Sequence, residues 1–258
     1  MQRYTLVTGA SEGLGVEFAR LAKRDGHNVI LTARSADKLD ALAAELRDDA
    51  TDVIVIPADL SNLADAERLW AEASEGRIID VLVNNAGLGF NGPFADQTGW
   101  ARELASMQVN MLSFTYLMKL AIAHMDAHAG GRILNVASAA GFMAGPGMAV
   151  YHATKAFALH LSEAVATELR GTNVTVTALC PGATATNFFD EADMHTVRLL
   201  KMSPPMKAFD VAEDGWQKAH LGKRVVVPGI MNKIFAVLPR LVPRSMAGRI
   251  TAVFLAKT

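Results

Sequence analysis

The chain has 258 residues, of which 51% are hydrophobic and 20% charged, a composition typical of a globular protein with a substantial core. Its formal net charge of −1 gives no electrostatic basis for nucleic-acid binding. No run approaches the roughly 18 consecutive apolar residues of a spanning helix, and the single Cys180 cannot form an internal disulfide, so we expect a soluble, cytoplasmic protein.

Short β-rich runs alternate with longer helical patterns along most of the chain, starting so near its beginning that no signal peptide is expected. The strand patterns, nearly continuous in apolar residues as in strands buried on both faces, are 3–8, 28–33, 52–58, 80–84, 132–138, 173–180 and 224–228. The helical patterns are 14–25, 36–48, 62–75, 98–127 and 150–170. This alternation predicts one doubly wound α/β domain over residues 1–258, with a parallel sheet and helices on both faces.

The stretch TGASEGLG, residues 8–15, follows the first strand and opens the first helix. Its glycines, Gly9, Gly13 and Gly15, would let the backbone approach a pyrophosphate, to which a helix N-terminus offers free N–H groups. A glycine triplet alone is common in turns. Its position between a strand and a helix is what favours a dinucleotide site.

The end of the second strand predicts which dinucleotide is bound. An acidic residue there would bond the ribose 2′-hydroxyl of NAD, but the sequence has Ala33 followed by Arg34. A guanidinium binds phosphate in bidentate fashion, and Ser11 could add a hydroxyl donor. The pattern therefore predicts NADP(H). The charge of Glu12 counts against it, and a solvated arginine at a helix start is the alternative.

Tyr151 and Lys155 lie four positions apart in the last long helical pattern, so their Cβ atoms are expected about 5–6 Å apart on one face. A nearby cation favours the ionised form of a phenol, and a phenol that ionises more easily is a better proton-transfer group. Taken alone, the pair is more simply two solvated side chains that share a face.

Further motifs stand in a fixed order around these two. They are TGASEGLG (8–15), Asp59-Leu60, NNAG (84–87), Asn110, Ser138, YHATK (151–155), and Pro181-Gly182 followed by Thr186. In this order and at these strand ends, they resemble the short-chain dehydrogenase/reductase family over about residues 3–230. The resemblance implies a Rossmann fold with a seven-stranded parallel sheet of order 3-2-1-4-5-6-7 and an active site at the carboxyl ends of the strands.

The resemblance also implies hydride transfer between NADP(H) and a carbonyl, with four side chains in defined roles. Ser138 would donate a hydrogen bond to the carbonyl oxygen, and Tyr151 would act as general acid/base. Lys155 would keep Tyr151 easier to ionise and bind the nicotinamide ribose, and Asn110 would hold a water linking Lys155 to solvent.

The remaining cofactor contacts are carried over from the family position by position. Besides Tyr151, Lys155 and Arg34, they are Gly9, Ser11, Gly13, Leu14 and Gly15 in the glycine loop, Asp59 and Leu60 at the adenine, Asn84, Ala86 and Gly87 beneath the adenosine ribose, and Pro181, Gly182, Thr184 and Thr186 at the carboxamide. Thr184 departs from the family, which more often has an aliphatic residue there.

No metal site is predicted. His124 and His128 share a helical face, but Met125 stands where an HExxH motif has glutamate, and no third ligand is evident.

The segment after Cys180 is predicted to be loop-like to about residue 220, and residues 184–221 form the predicted substrate loop. With 88–97 and 139–148 it supplies mostly apolar side chains, which favour an apolar carbonyl substrate. These are Phe90, Phe94, Phe142, Met143, Met148, Phe188, Phe189, Met194 and Met202. The alternative is that many of them pack within the loops. The tail after Arg224 resembles a branch of the family described as acyl, ketoacyl or hydroxysteroid reductases, which implies an acyl or steroid-like substrate.

The last 44 residues, from Gly215, contain no acidic residue and eight Lys or Arg, and 229–258 predict basic amphipathic helices. These could contact a membrane surface. We favour their packing on the core or on a neighbouring subunit, with the cations extended into solvent.

The function predicted from the sequence is an NADP(H)-dependent oxidoreductase that reduces a small-molecule carbonyl or oxidises the corresponding alcohol. Two alternatives stay open. One is a regulatory protein that binds NADP(H) without turnover, and the other is a dehydratase or epimerase on the same fold.

The resemblance also implies a homo-oligomer, dimer or tetramer, formed through helices 98–127 and 150–170. These helices carry apolar stripes of Leu104, Met107, Met111, Leu112 and Met118, and of Phe157, Leu161, Val165 and Leu169.

Overall fold

The computed structural model of the chain describes residues 1–95, 99–187 and 204–241, together with residues 243, 246, 248, 251 and 252. Within these residues a seven-stranded parallel sheet has the order β3-β2-β1-β4-β5-β6-β9. Its strands are β1 (Arg3–Thr8), β2 (Asn28–Thr32), β3 (Val53–Val55), β4 (Ile78–Asn84), β5 (Gly131–Val136), β6 (Val174–Leu179) and β9 (Val225–Val226). The predicted order is confirmed. The seventh strand is numbered β9 because a separate pair, β7 (Thr184–Ala185) and β8 (Met206–Lys207), precedes it.

Helices follow the strands as the sequence pattern predicts. They are α1 (Leu14–Arg24), α2 (Ala36–Leu46), α3 (Leu63–Ser74), α4 (Trp100–Met107), α5 (Phe114–Ala127), α6 (Ala149–Glu168), α7 (Ala208–His220) and α8 (Ile230–Val237). The predicted long helix 98–127 is α4 and α5 joined by a π-helical segment, Gln108–Ser113; position 98 itself lies outside the described residues.

The helices pack on both faces of the sheet, as predicted, because successive strand residues point to opposite sides. In β1, Leu6 joins a cluster with α3 and α5, while Val7 joins a second cluster with α1, α2 and α7. Every strand between two helical layers must therefore be apolar on both faces. This accounts for the continuous apolar runs in the sequence.

Helix α7 corrects the prediction that the chain is loop-like to residue 220. Val211, Ala212, Gly215, Trp216 and Ala219 are buried at helical spacing along it. The indole N–H of Trp216 donates to an Asp25 carboxylate oxygen at 2.7 Å, which fastens α7 to the end of α1. The predicted substrate loop 184–221 therefore ends before Ala208, and within it the described residues are 184–187 and 204–207.

The chain end forms helix α8 followed by a 3-10 turn, Leu238–Arg240, within the predicted helical segment 229–258. Most of residues 242–258, the rest of this predicted helical segment, lie outside the described residues. Among the described helices, none is long and apolar enough to span a bilayer.

Candidate active site

A cavity of about 390 Å³ lies at the carboxyl edge of the sheet, where the loops after β1, β2, β4, β5 and β6 meet. This is the edge at which doubly wound sheets bind ligands. Of the predicted site residues, the cavity is lined by Gly9, Ser11, Gly13, Leu14, Arg34, Asp59, Leu60, Ala86, Gly87, Ser138, Tyr151, Lys155, Pro181, Gly182, Thr184 and Thr186. The fold thus brings residues from both halves of the chain into one site.

The loops after β1 and β4 are fastened together at one end of the cavity. The Thr8 hydroxyl accepts hydrogen bonds from the backbone N–H groups of Asn85 and Ala86, both at 2.9 Å. The Asn85 side-chain amide donates to the carbonyl oxygens of Thr8 (2.8 Å) and Gly9 (3.2 Å). These bonds fix the shape of the glycine loop. Asn85 lines the cavity, although the sequence prediction did not include it.

Two glycines let the first turn of α1 approach β1. Gly13, the residue before α1, has a φ of 59°, which side chains rarely adopt. A Cβ on Gly15 would lie 2.1 Å from the Gly9 carbonyl oxygen, so no larger residue fits. Gly15 does not line the cavity itself; it allows the helix to pack so that the α1 N-terminus faces it. A backbone cradle at a helix N-terminus fits a pyrophosphate.

Basic and hydroxyl side chains surround the same end of the cavity. Arg34 and Lys38 line it beside Ser11 and Ser35, and both cations are exposed. The carboxylate of Glu12 accepts a hydrogen bond from the Asn187 side-chain amide at 2.7 Å and lies 3.5 Å from the Lys38 ammonium. The negative charge that counted against NADP(H) is therefore already engaged by two donors.

The other end of the cavity holds the predicted catalytic side chains. Ser138 follows β5, Tyr151 and Lys155 stand one turn apart on α6, and the hydroxyls of Ser138 and Tyr151 are hydrogen-bonded. The Ser138 hydroxyl also accepts from the Ala140 backbone N–H at 3.1 Å, which orients it. A carbonyl oxygen placed near these two hydroxyls would meet two donors.

Burial dominates the electrostatics at this end. Desolvation raises the pKa of Tyr151 to about 12, against a smaller lowering by the Ser138 hydrogen bond, and lowers the pKa of Lys155 to about 8. The Lys155 ammonium lies 5.9 Å from the Tyr151 ring centre and donates to the Val136 carbonyl oxygen at 2.9 Å. The net pKa shift of Tyr151 is therefore upward. The prediction of an easily ionised phenol considered only the neighbouring cation and left out burial, which sets the net direction of the shift.

Asn110 lies behind the cavity rather than in its lining. In the π-helical segment its side chain accepts from the Leu88 N–H (2.9 Å) and donates to the Leu88 carbonyl (2.8 Å) and the Thr154 hydroxyl (2.9 Å). A Cβ added to Gly87 would lie 3.2 Å from the Lys155 nitrogen and 3.3 Å from the Asn110 oxygen. Asn110 and Lys155 thus flank one small space beside Gly87. The predicted water-holding role of Asn110 stays a prediction.

Asn84 also lies outside the lining. It is buried, and its side-chain amide donates to the Phe114 carbonyl oxygen at 2.9 Å, so it connects β4 to α5. The adjacent Asn85 takes the position at the cavity that the sequence prediction gave to Asn84.

The chain end supplies cavity residues that sequence reasoning missed. Asn232 and Phe235 of α8 line the cavity, and so does Thr251. A Cβ on Gly182 would lie 2.1 Å from the Asn232 side-chain oxygen, so Gly182 allows α8 to approach. No motif marks these residues. The sequence signal for them was the amphipathic pattern of 229–258. That pattern predicted a buried helix face but not that this face would contact the cavity.

The predicted apolar substrate residues divide into three groups. Met143 and Met148 line the cavity. Phe142 packs against a buried cluster with Phe114, as the alternative of loop packing expects. Phe90 and Phe94 lie outside this cavity but line a smaller one beside Met148 and Tyr151. Phe188, Phe189, Met194 and Met202 lie outside the described residues.

The fold and this site together define a Rossmann-type oxidoreductase, and comparison with known proteins gives the family. Residues 3–196 match the family described as short chain dehydrogenase, so the chain belongs to the short-chain dehydrogenase/reductase family.

Several relatives are similar over much of the chain. The ketoacyl reductase HetN of Nostoc sp. is 35% identical over 69% of this chain, and the match spans 62% of that protein. The NADP-dependent 3-hydroxy acid dehydrogenase YdfG of Salmonella typhi is 32% identical over 85% of this chain and 90% of its own length. A short-chain dehydrogenase from Sphingobium yanoikuyae, solved in complex with NADPH, has a TM-score of 0.82 and 31% identity over 93% of this chain and 90% of that chain.

Proposed function

We propose that the chain is an NADP(H)-dependent oxidoreductase that reduces the carbonyl of an apolar substrate, with Tyr151 as the proton donor. The observation that carries this proposal is the hydrogen-bonded pair Ser138 and Tyr151, which lines the same cavity as the glycine loop and stands beside buried Lys155. Two similar proteins support it: YdfG is an NADP-dependent 3-hydroxy acid dehydrogenase, and the Sphingobium yanoikuyae short-chain dehydrogenase was solved in complex with NADPH.

The residues present fit a dinucleotide. The glycine loop and the α1 N-terminus would hold the pyrophosphate, and Asp59 and Leu60 the adenine. Lys155 would bind the nicotinamide ribose, and Thr184 and Thr186 the carboxamide. When bound, the cofactor supplies the hydride.

Preference for NADP(H) rests on the charge around the adenosine end. Ala33 replaces the acid that would repel a 2′-phosphate, and Arg34 and Lys38 offer two cations. Because Glu12 is already bonded to Asn187 and close to Lys38, its charge opposes a phosphate less than an unpaired carboxylate would.

The protonation states of Tyr151 and Lys155 favour reduction. With a pKa of about 12, Tyr151 is protonated at neutral pH and remains a stronger acid than the alcohol that forms from a ketone. Lys155, with a pKa of about 8, is then mainly cationic and stabilises the negative charge that develops on Tyr151 as its proton leaves. Ser138 positions the carbonyl oxygen by hydrogen bonding.

The substrate side of the cavity supports an apolar carbonyl compound. Met143, Met148 and Phe235 line it, together with the polar side chains of His152, Asn232 and Thr251. Few polar groups within an apolar lining are typical of sites that orient an uncharged ligand.

We further propose that the chain is a homo-oligomer through α4, α5 and α6. Trp100 (65% exposed) and Leu112 (56%) support an interface there, and Leu104 is also exposed. Met118, which the sequence prediction placed in this stripe, is instead buried in the core.

The test is the loss of NADPH or NADH absorbance with a panel of apolar ketones, aldehydes and 3-oxoacyl thioesters. The proposal expects turnover with NADPH, loss of it in Tyr151→Phe, and normal turnover in Tyr116→Phe, a matched tyrosine on α5 outside the cavity lining. NADPH binding without turnover on any substrate would favour the regulatory alternative. A product of unchanged redox state would favour a dehydratase or epimerase.

A further inference from the structure

Helix α8 has two faces of different character. On its inner face Asn232 and Phe235 line the cavity, and Ala236 is buried. The outer face of α8 is defined here as Ile230, Met231, Ile234 and Val237 of the helix, continued by Leu238 and Leu241 at the 3-10 turn that follows, and it is exposed. Ile230, Ile234, Val237 and Leu241 recur at helical spacing with exposed fractions of 76%, 51%, 52% and 76%. A helix that buries one face and exposes a second apolar face lacks a contact for the second.

The apolar exposure is concentrated at the chain end. In the described part of the chain, fifteen large hydrophobic side chains are exposed, and seven of them are the six outer-face residues and Met246. Single exposed apolar residues are ordinary, whereas a contiguous group marks a surface that contacts something.

The charge of this segment indicates what it contacts. Residues 229–258 contain five Lys or Arg and no acid, so all 26 acidic residues lie in the preceding part of the chain. Lys233, beside Ile234 and Ile230 on α8, is exposed. Apolar residues combined with cations on one surface helix are the pattern of helices that lie in the headgroup region of an anionic bilayer.

We propose that the outer face of α8 docks on a membrane surface that carries anionic lipids. The outer-face side chains enter the headgroup region, and the Lys233 ammonium contacts a lipid phosphate. A second copy of the chain is the competing occupant. An anionic bilayer matches both properties of this surface at once, since it offers apolar depth and negative charge over its whole area.

Docking in this way would place the cavity beside the bilayer, because the same helix lines the cavity with its inner face. An apolar carbonyl compound dissolved in the membrane would reach Tyr151 without crossing bulk water. This consequence, unlike the docking itself, rests on the proposed function.

The experiment is flotation of the full chain with phosphatidylcholine vesicles and with phosphatidylcholine/phosphatidylglycerol vesicles, at low and high salt. The wild type is expected to float with the anionic vesicles and to be released by salt. The double variant Ile230→Glu/Ile234→Glu is expected to bind the anionic vesicles roughly tenfold more weakly, or more weakly still. Each change removes apolar burial and adds a negative charge that the anionic lipids repel.

Leu221→Glu is the matched control. Leu221 is 73% exposed and follows α7, before β9, so it lies at the edge of the sheet opposite to the cavity. It should float as the wild type does. The variant Lys233→Gln should weaken flotation less than the double glutamate variant does. The flotation that remains should depend less on salt than that of the wild type.

Two results would overturn the proposal: no flotation of the wild type with anionic vesicles, or equal flotation of the double variant. Light scattering on the same samples identifies the competing occupant, since a loss of oligomer mass in the double variant without a change in flotation points to a second copy. Turnover of a water-soluble ketone by Ile234→Glu is a separate readout. Its retention shows that a failure of docking leaves the proposed function standing.

Discussion

The two ends of the cavity hold their charged side chains in opposite environments, one buried and one exposed to solvent. At the catalytic end Lys155 is buried, and burial shifts the pKa values of both Lys155 and Tyr151. At the nucleotide end Arg34 and Lys38 are exposed to solvent. Charges interact strongly where water is excluded and weakly where salt and water screen them. The same kind of side chain should therefore contribute much more at the catalytic end than at the nucleotide end.

The largest effect is expected for Lys155→Met. Removing the cation takes away the stabilisation of negative charge on Tyr151, so kcat should fall by roughly 10²- to 10⁴-fold. Thermal stability at pH 7 should not fall, because the variant no longer buries an ammonium group. Steady-state kinetics and a melting curve measure the two effects. Lys119→Met, which removes an exposed lysine of α5, is the control and should leave kcat unchanged.

The stability difference between Lys155→Met and the wild type should also depend on pH. The pKa of Lys155 is lowered on folding from 10.5 to about 8, so the unfolded chain binds more protons between these values. The cost of the buried ammonium is then fully present below pH 8 and is relieved as pH rises toward 10.5. The advantage of the variant should shrink over that window. An advantage that grows with pH would contradict the assignment.

A smaller loss is expected for Gly15→Ala at the nucleotide end. The added Cβ would lie 2.1 Å from the Gly9 carbonyl oxygen, so α1 must move away from β1. We expect destabilisation of about 1–3 kcal/mol and weaker NADPH binding, measured by denaturant unfolding and by NADPH fluorescence titration. Gly99→Ala, where nothing lies within 4 Å of the new Cβ, should change neither.

Arg34→Ala tests an exposed charge. A charge-assisted bond to a phosphate contributes about 1.5–3 kcal/mol, so the preference for NADPH over NADH in kcat/KM should fall by roughly 10- to 100-fold. Arg170→Ala, a change to an exposed arginine after α6 and outside the cavity lining, is the control. An unchanged preference would assign the NADP(H) selectivity to other residues.

The smallest effect is expected for Lys38→Ala. Its ammonium is exposed and lies 3.5 Å from Glu12, so its interaction with a 2′-phosphate is both screened and shared. The KM for NADPH should rise by only about threefold, and high salt should remove the difference. A rise as large as that in Arg34→Ala would mean that the two cations are equivalent.

Most strand and helix positions were predicted from apolar runs and glycine turns, which are local signals, whereas the sheet order came from the family resemblance. The resemblance also predicted cavity residues after strands, correctly at Ser138 and Gly182 but not at Asn84. Helix α7 was missed because Gly215 interrupts its pattern, although Val211, Trp216 and Ala219 repeat at helical spacing. A Cβ on Gly215 would lie 2.7 Å from a Leu179 methyl carbon, so Gly215 allows α7 to pack close to β6.

Two other features could not be read from local sequence. The pKa of Tyr151 is raised by burial, which depends on residues far apart in the sequence. The approach of Asn232 and Phe235 to the cavity depends on where the chain end packs. Both are properties of the assembled fold.

The central claim is that Ser138 and Tyr151 act as one proton-donating unit, and a double-mutant cycle on kcat tests it most directly. The cycle compares Ser138→Ala, Tyr151→Phe and the double variant, each at saturating NADPH. Residues that act as a unit are strongly non-additive, so the double variant should lose about as much kcat as Tyr151→Phe alone. Single losses that multiply, or a Tyr151→Phe variant that keeps wild-type kcat, would contradict the claim.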